Sequence, residues 1–187
     1  PLLDYDVDMV NKGMDQIDAS LDKADVKERH FVQGNHEVWL DKFVTRYPYL
    51  HKYVTPRALK LKDRGYKYHA YNKKKGLKIG KLNFTHGKYT SKYHSYKHLD
   101  VFGESIMYGH THDLQRHTKT FAGGTISAWS LGCLKDIEKD EDWLGGRLTN
   151  WNHAFAIVDW FKGGNFCVEV IEIYKGITSL WGQTIKG

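Results

Sequence analysis

Three short apolar runs, each cut off by a cluster of glycine and histidine, constrain this chain more than any other feature. Phe31-Val32 leads into Gly34-Asn35-His36-Glu37, and Leu82 and Phe84 lead into Thr85-His86-Gly87. Ile106-Met107-Tyr108 leads into Gly109-His110-Thr111-His112. An apolar run of strand length that stops at a glycine turn reads as a strand opening into a loop. In an α/β chain such loops lie beyond the carboxyl ends of the strands, where ligand sites form. Neutral imidazole and amide oxygen are donors that Mn, Fe or Zn accept. The pattern predicts an α/β fold that delivers Asn, His and His-x-His to one sheet edge as a metal site.

A chain of 187 residues fits one domain, 1–187, with a sizeable core. No apolar run reaches membrane-spanning length, and the first residues do not read as a secretory signal. Two cysteines, Cys133 and Cys167, are too few for a disulfide framework. Each lies in an apolar strand-like stretch, which predicts buried free thiols and a reducing, cytoplasmic setting. The formal charge is +6, and the chain carries 12 Tyr and 6 Trp. A basic, tyrosine-rich surface suits a phosphate backbone and its bases, so nucleic acid is a candidate partner. The blander reading is that these lysines and tyrosines are solvated or half-buried.

Val10, Met14, Ile17 and Leu21 recur at helical spacing and predict a helix over about 6–23, ended by Ala24-Asp25. Lys27 to Gln33 reads as a strand and Glu37 to Val44 as a helix stopped at Tyr47-Pro48. Residues 49–65 give no clear pattern. Tyr66–Tyr71 and Leu77–Thr85 read as two strands joined through Asn72-Lys73-Lys74-Lys75-Gly76. Tyr89, Tyr93 and Tyr96 predict a helix ending near Leu99, with the tyrosines as core and Lys88, Lys92 and Lys97 near the metal edge. Phe121–Leu134 contains strand-like stretches, and Lys135–Gly146 reads as a loop. His153–Trp160 and Asn165–Tyr174 predict a hairpin, and 176–187 an irregular tail.

Gly34-Asn35-His36-Glu37, an isolated His86-Gly87 and Gly109-His110-Thr111-His112, in that order, resemble the last three motif blocks of the calcineurin-like metallophosphoesterases. Ser130–Leu134 and Trp151–Phe155 are similar, more softly, to the tail of phage-encoded and bacterial members. The resemblance implies a four-layer αββα sandwich. It implies hydrolysis of phosphomonoesters or phosphodiesters with two divalent cations, Mn first, with Fe or Zn as alternatives. Asn35, His86 and His110 would hold one cation and His112 the other. His36 would face the scissile phosphate, as a cation steadying charge or protonating the leaving oxygen. Gly34 would allow the turn, and Glu37 would orient His36 or cap the following helix.

The family's two opening blocks, Asp-x-His and Gly-Asp-x-x-Asp, are missing: no Asp-x-His precedes Gly34 and no Gly-Asp occurs anywhere. The expectation is a carboxy-terminal portion of a longer enzyme, binding at most one metal, weakly, by itself. Asp4, Asp6 and Asp8 stand at a helix start and are poor substitutes for the missing carboxylates. Two rivals remain: a non-catalytic nucleic-acid-binding or assembly protein that keeps the fold, and one half of a split enzyme.

Overall fold

A computed structural model describes residues 2–71, 76–135, 137 and 144–187. It is mixed α/β and divides into two compact units, Pro1–Tyr71 and Asn72–Gly187.

The first unit opens with the predicted helix, α1, Leu2–Lys23, but Val10 and Ile17 of its expected apolar stripe are about half exposed and the buried positions are Asn11 and Asp18. It then forms strand β1, Arg29–Val32, and helix α2, Asn35–Arg46. A 3-10 turn at Pro48–Tyr53 and a short helix α3, Thr55–Ala58, fill the segment that sequence left unassigned. Strand β2, Tyr66–His69, closes the unit by pairing parallel to β1, Arg29 opposite Tyr66. The apolar core here is small: Val44 and Leu61 are almost completely buried. A charge network supplements it. Buried Asp18 on α1 accepts from Arg29, from Arg64 at 2.5 Å and from the Tyr66 hydroxyl at 3.0 Å. These bonds tie α1 to both strands, and hydrogen bonds to charged groups each contribute about 1.5–3 kcal/mol.

The second unit is built on a five-stranded sheet of order β3-β4-β5-β7-β6. Its strands are β3 (Leu77–Ile79), β4 (Leu82–Phe84), β5 (Ser105–Tyr108), β6 (Leu114–Phe121) and β7 (Gly124–Leu131). The central pairs β4–β5 and β5–β7 are parallel, and the edges pair antiparallel. Helix α4, His94–Phe102, carries the chain from β4 to β5 and ends on Gly103 in the left-handed conformation. Leu99, Ile106, Tyr108 and Ala128 form one core cluster, and Leu82, Met107 and Trp129 another. Full burial of such an aliphatic side chain contributes about 2 kcal/mol. Strands β8 (His153–Trp160) and β9 (Phe166–Ile173) form the expected hairpin.

Several expectations need correction. Leu77–Thr85 is two strands, because Gly80 takes a φ of 54° and turns the chain back on itself. Tyr66–Tyr71 pairs with β1 instead of with this hairpin. The expected joining turn falls mostly on residues 72–75, outside the described ones, as does most of the expected 135–146 loop. Helix α4 starts five residues later than Tyr89, and Tyr93 and Tyr96 are exposed surface, 58% and 46%, because His94, Ser95, His98 and Leu99 take the inner face. Strand β6 begins at Leu114, well before Phe121, and the tail folds into a hairpin of β10 (Ile177–Leu180) and β11 (Gln183–Lys186). Neither thiol is buried: Cys133 is intermediate and Cys167 exposed.

Candidate metal centre

The first unit carries the Gly34-Asn35-His36-Glu37 cluster on the turn from β1 into α2. Asn35 and His36 belong to the first turn of the helix, with Gly34 as its N-cap. Gly34 has φ −94° and ψ −179°, extended torsions that any residue adopts, so torsion alone does not demand glycine there. The Glu37 carboxylate accepts from the Gly34 amide at 2.7 Å, so of its two expected roles it fills that of helix cap. His36 is exposed, and its ring lies 5.0 Å from that of Trp39.

In the second unit, His86 follows β4 and His110 follows β5. The parallel ladder continues past both strand ends: Thr85 donates to the Met107 carbonyl, and Gly109 and His110 both donate to the His86 carbonyl. This continuation brings the two imidazoles into contact, His86 Nε2 to His110 Nδ1 at 3.0 Å. Gly87 is required by the same approach. Its φ is +99°, and a Cβ there would stand 2.8 Å from Tyr108 and 2.9 Å from the His110 Cβ.

His112 lies two residues on, in the left-handed region at φ 62°. Asp25, Lys60, Lys175 and Trp181 take the same conformation at other turns, and His is among the residue types that adopt it most readily. Its ring meets Trp151 edge-on at 4.9 Å. Asn152 pins the turn: its amide donates to the His112 carbonyl at 2.8 Å, and its side-chain oxygen accepts from the Leu114 amide. Trp151, Asn152 and His153 also line a cavity of about 550 Å³ with Glu172, Tyr174 and Lys175.

A buried polar chain behind the turn went unnoticed in the sequence. Asp113 accepts from His94 Nε2 at 2.9 Å, and the Tyr108 hydroxyl meets His94 Nδ1 at 2.6 Å. Burial pushes the Tyr108 phenol well above its ordinary range, reinforced by the Asp113 charge, so it stays protonated. The Tyr108 hydroxyl, the His94 ring and the Asp113 carboxylate thus form one continuous chain of hydrogen bonds. His98 stacks on Tyr108 at 3.9 Å, donates through Nδ1 to the His94 carbonyl and accepts the Lys88 amide. The only sequence hint was the four-residue spacing of His94 and His98, which puts both on one helix face.

The 3.0 Å between the two imidazole nitrogens is a hydrogen-bond distance, and it also equals the spacing of two neighbouring donors held at about 2.1 Å and a right angle by one octahedral cation. Among the described residues, no group of three or more His, Cys, Asp or Glu is close enough to hold a metal. The second unit thus offers a two-nitrogen fragment of the expected set, and Asn35 belongs to the other unit. Among the described residues, no helix is long and apolar enough to cross a membrane. The chain matches no protein-family model, no curated protein and no solved structure.

Proposed function

We propose that this chain is the latter part of a metal-dependent phosphoesterase of the four-layer αββα type, acting on a phosphomonoester or phosphodiester. The observation that carries the reading is the His86–His110 contact. Two residues 24 apart in sequence, at the ends of adjacent parallel strands, present ring nitrogens at ligand spacing. In this reading His86 and His110 hold one divalent cation and His112 a second, with Mn first and Fe or Zn as alternatives, and Asn35 is the further ligand that the family resemblance implies for the first. The cations, when bound, supply positive charge that polarises the phosphoryl oxygens and lowers the pKa of the attacking water. His36, exposed at the first turn of α2, supplies a proton to the departing oxygen, a contribution of about 10²–10⁴ in rate. Glu37 holds the helix start under His36. The His112 turn, pinned by Asn152, sets its ring beside Trp151, which lines the cavity.

The test is Mn-dependent hydrolysis of bis(4-nitrophenyl) phosphate by the full-length protein. His110→Ala is expected to abolish it, and His36→Ala to lower kcat by about a hundredfold or more. Hydrolysis that survives His110→Ala intact would sink the assignment.

A further inference from the structure

The exposed side of α4 and the face of β6 packed on it bring aromatic rings and ammonium groups together. Tyr93 caps the helix and Tyr96 and Lys97 lie three and four residues on, the spacing that puts all three on one face. From β6, His117 reaches the same surface and meets the Tyr93 and Tyr96 rings edge-on at 6.3 and 5.9 Å. Each tyrosine has its own ammonium: Lys92 stands 5.4 Å from the Tyr93 ring and Lys119 5.8 Å from Tyr96. Next to them, Tyr89 has Lys88 at 5.6 Å and Lys97 at 6.0 Å. Asp100 lies 3.5 Å from Lys119 and offsets one of these charges.

This surface is anchored from below. Ser95, fully buried, donates through its amide to the Gln115 side chain and bonds His117 Nδ1 at 2.5 Å. Gln115 in turn donates to the Lys92 carbonyl. The rings therefore stand on a fixed helix and strand, so little ordering cost remains at binding.

We infer that this face binds single-stranded nucleic acid, with Tyr93 and Tyr96 as stacking platforms for bases and Lys88, Lys92, Lys97 and Lys119 as phosphate contacts. Flat, half-open rings beside ammonium groups match a polymer that alternates π faces with negative charge. An acidic peptide would use the lysines and leave the rings idle, and bases in a duplex are already stacked. Binding here needs no metal, so the inference stands or falls separately from the hydrolytic reading.

The experiment is fluorescence anisotropy of labelled oligothymidylate with the full chain in EDTA. Tyr93→Ala with Tyr96→Ala is expected to weaken binding about tenfold or more, and Tyr93→Phe with Tyr96→Phe to restore it. Lys92→Ala with Lys97→Ala should reduce the salt slope by about 0.7 per lysine, whereas Lys62→Ala in the first unit should not. An oligouridylate arm tells RNA from DNA, and preference for either supports the proposal. No binding by the parent overturns it. So does a double alanine variant within about twofold of the parent, an abasic strand that binds equally well, or displacement by polyglutamate or anionic vesicles at matched charge.

Discussion

His98 shows how much a single residue of this chain resists reading from sequence. Nothing in Lys97-His98-Leu99 marks it as special, yet it is completely buried against Tyr108. Burial lowers its pKa from the ordinary 6.5 to about 4, with the His94 charge adding to the effect and its bond to the His94 carbonyl opposing it. Between those values the unfolded chain binds a proton that the folded chain refuses. Stability from this group is complete above about pH 6.5 and falls as pH drops towards 4, by an amount on the order of 3 kcal/mol. Urea unfolding from about pH 7 to about pH 4.5 should show the loss in the parent, and His98→Asn should be less stable at neutral pH and flatter in that window. Equal slopes would refute the assignment. By contrast Asn35, His36, His86, His110 and His112 stood out because each lies in a glycine-containing cluster that ends an apolar run. What sequence could not show is the support behind them. Asp113, His94 and Asn152 meet the turn through folds of the chain that no local pattern encodes.

Among the elements, legibility followed the contrast between apolar runs and their flanks. Ser105–Tyr108 is buried throughout, and β8 and β9 carry dense apolar residues, so their positions were plain. Strand β6 was missed because Leu114-Gln115-Arg116-His117-Thr118-Lys119 alternates two polar faces, one under α4 and one towards solvent. Leu77–Thr85 reads as one strand by its composition, and the β3–β4 hairpin is hidden in it because the turn is made by the single glycine Gly80. Helix α1, 22 residues long, was plain from its periodicity and contains one avoidable weakness. Gly13 lies in its interior, and a Cβ there would meet nothing within 4 Å. Gly13→Ala is expected to stabilise the first unit by about 0.5–1 kcal/mol, read as a higher urea midpoint at unchanged slope. An unchanged or lower midpoint would mean that this stretch is not held as helix.

At the scale of the whole molecule, the two compact units have unlike interiors. The second is held by apolar clusters under a five-stranded sheet, and the first by a modest core with Asp18, Arg29 and Arg64 knitted across it. They should not melt together. Trp39 is the single tryptophan of the first unit, and the other five are in the second, whereas the longest helix is in the first. Urea transitions followed by tryptophan fluorescence and by far-ultraviolet helix signal should separate, and superimposed curves would show one cooperative unit. The His86–His110 pair has a consequence for time as well as for ligands. Its two nitrogens meet only after the chain has run along β4, crossed through α4 and laid β5 in parallel register. An ion such as Ni that bridges them rewards closure of that crossover and little else. If closure precedes the folding barrier the ion speeds refolding, and if it follows, the ion slows unfolding alone. The pair is thus a built-in clock hand for the order in which this half of the protein assembles.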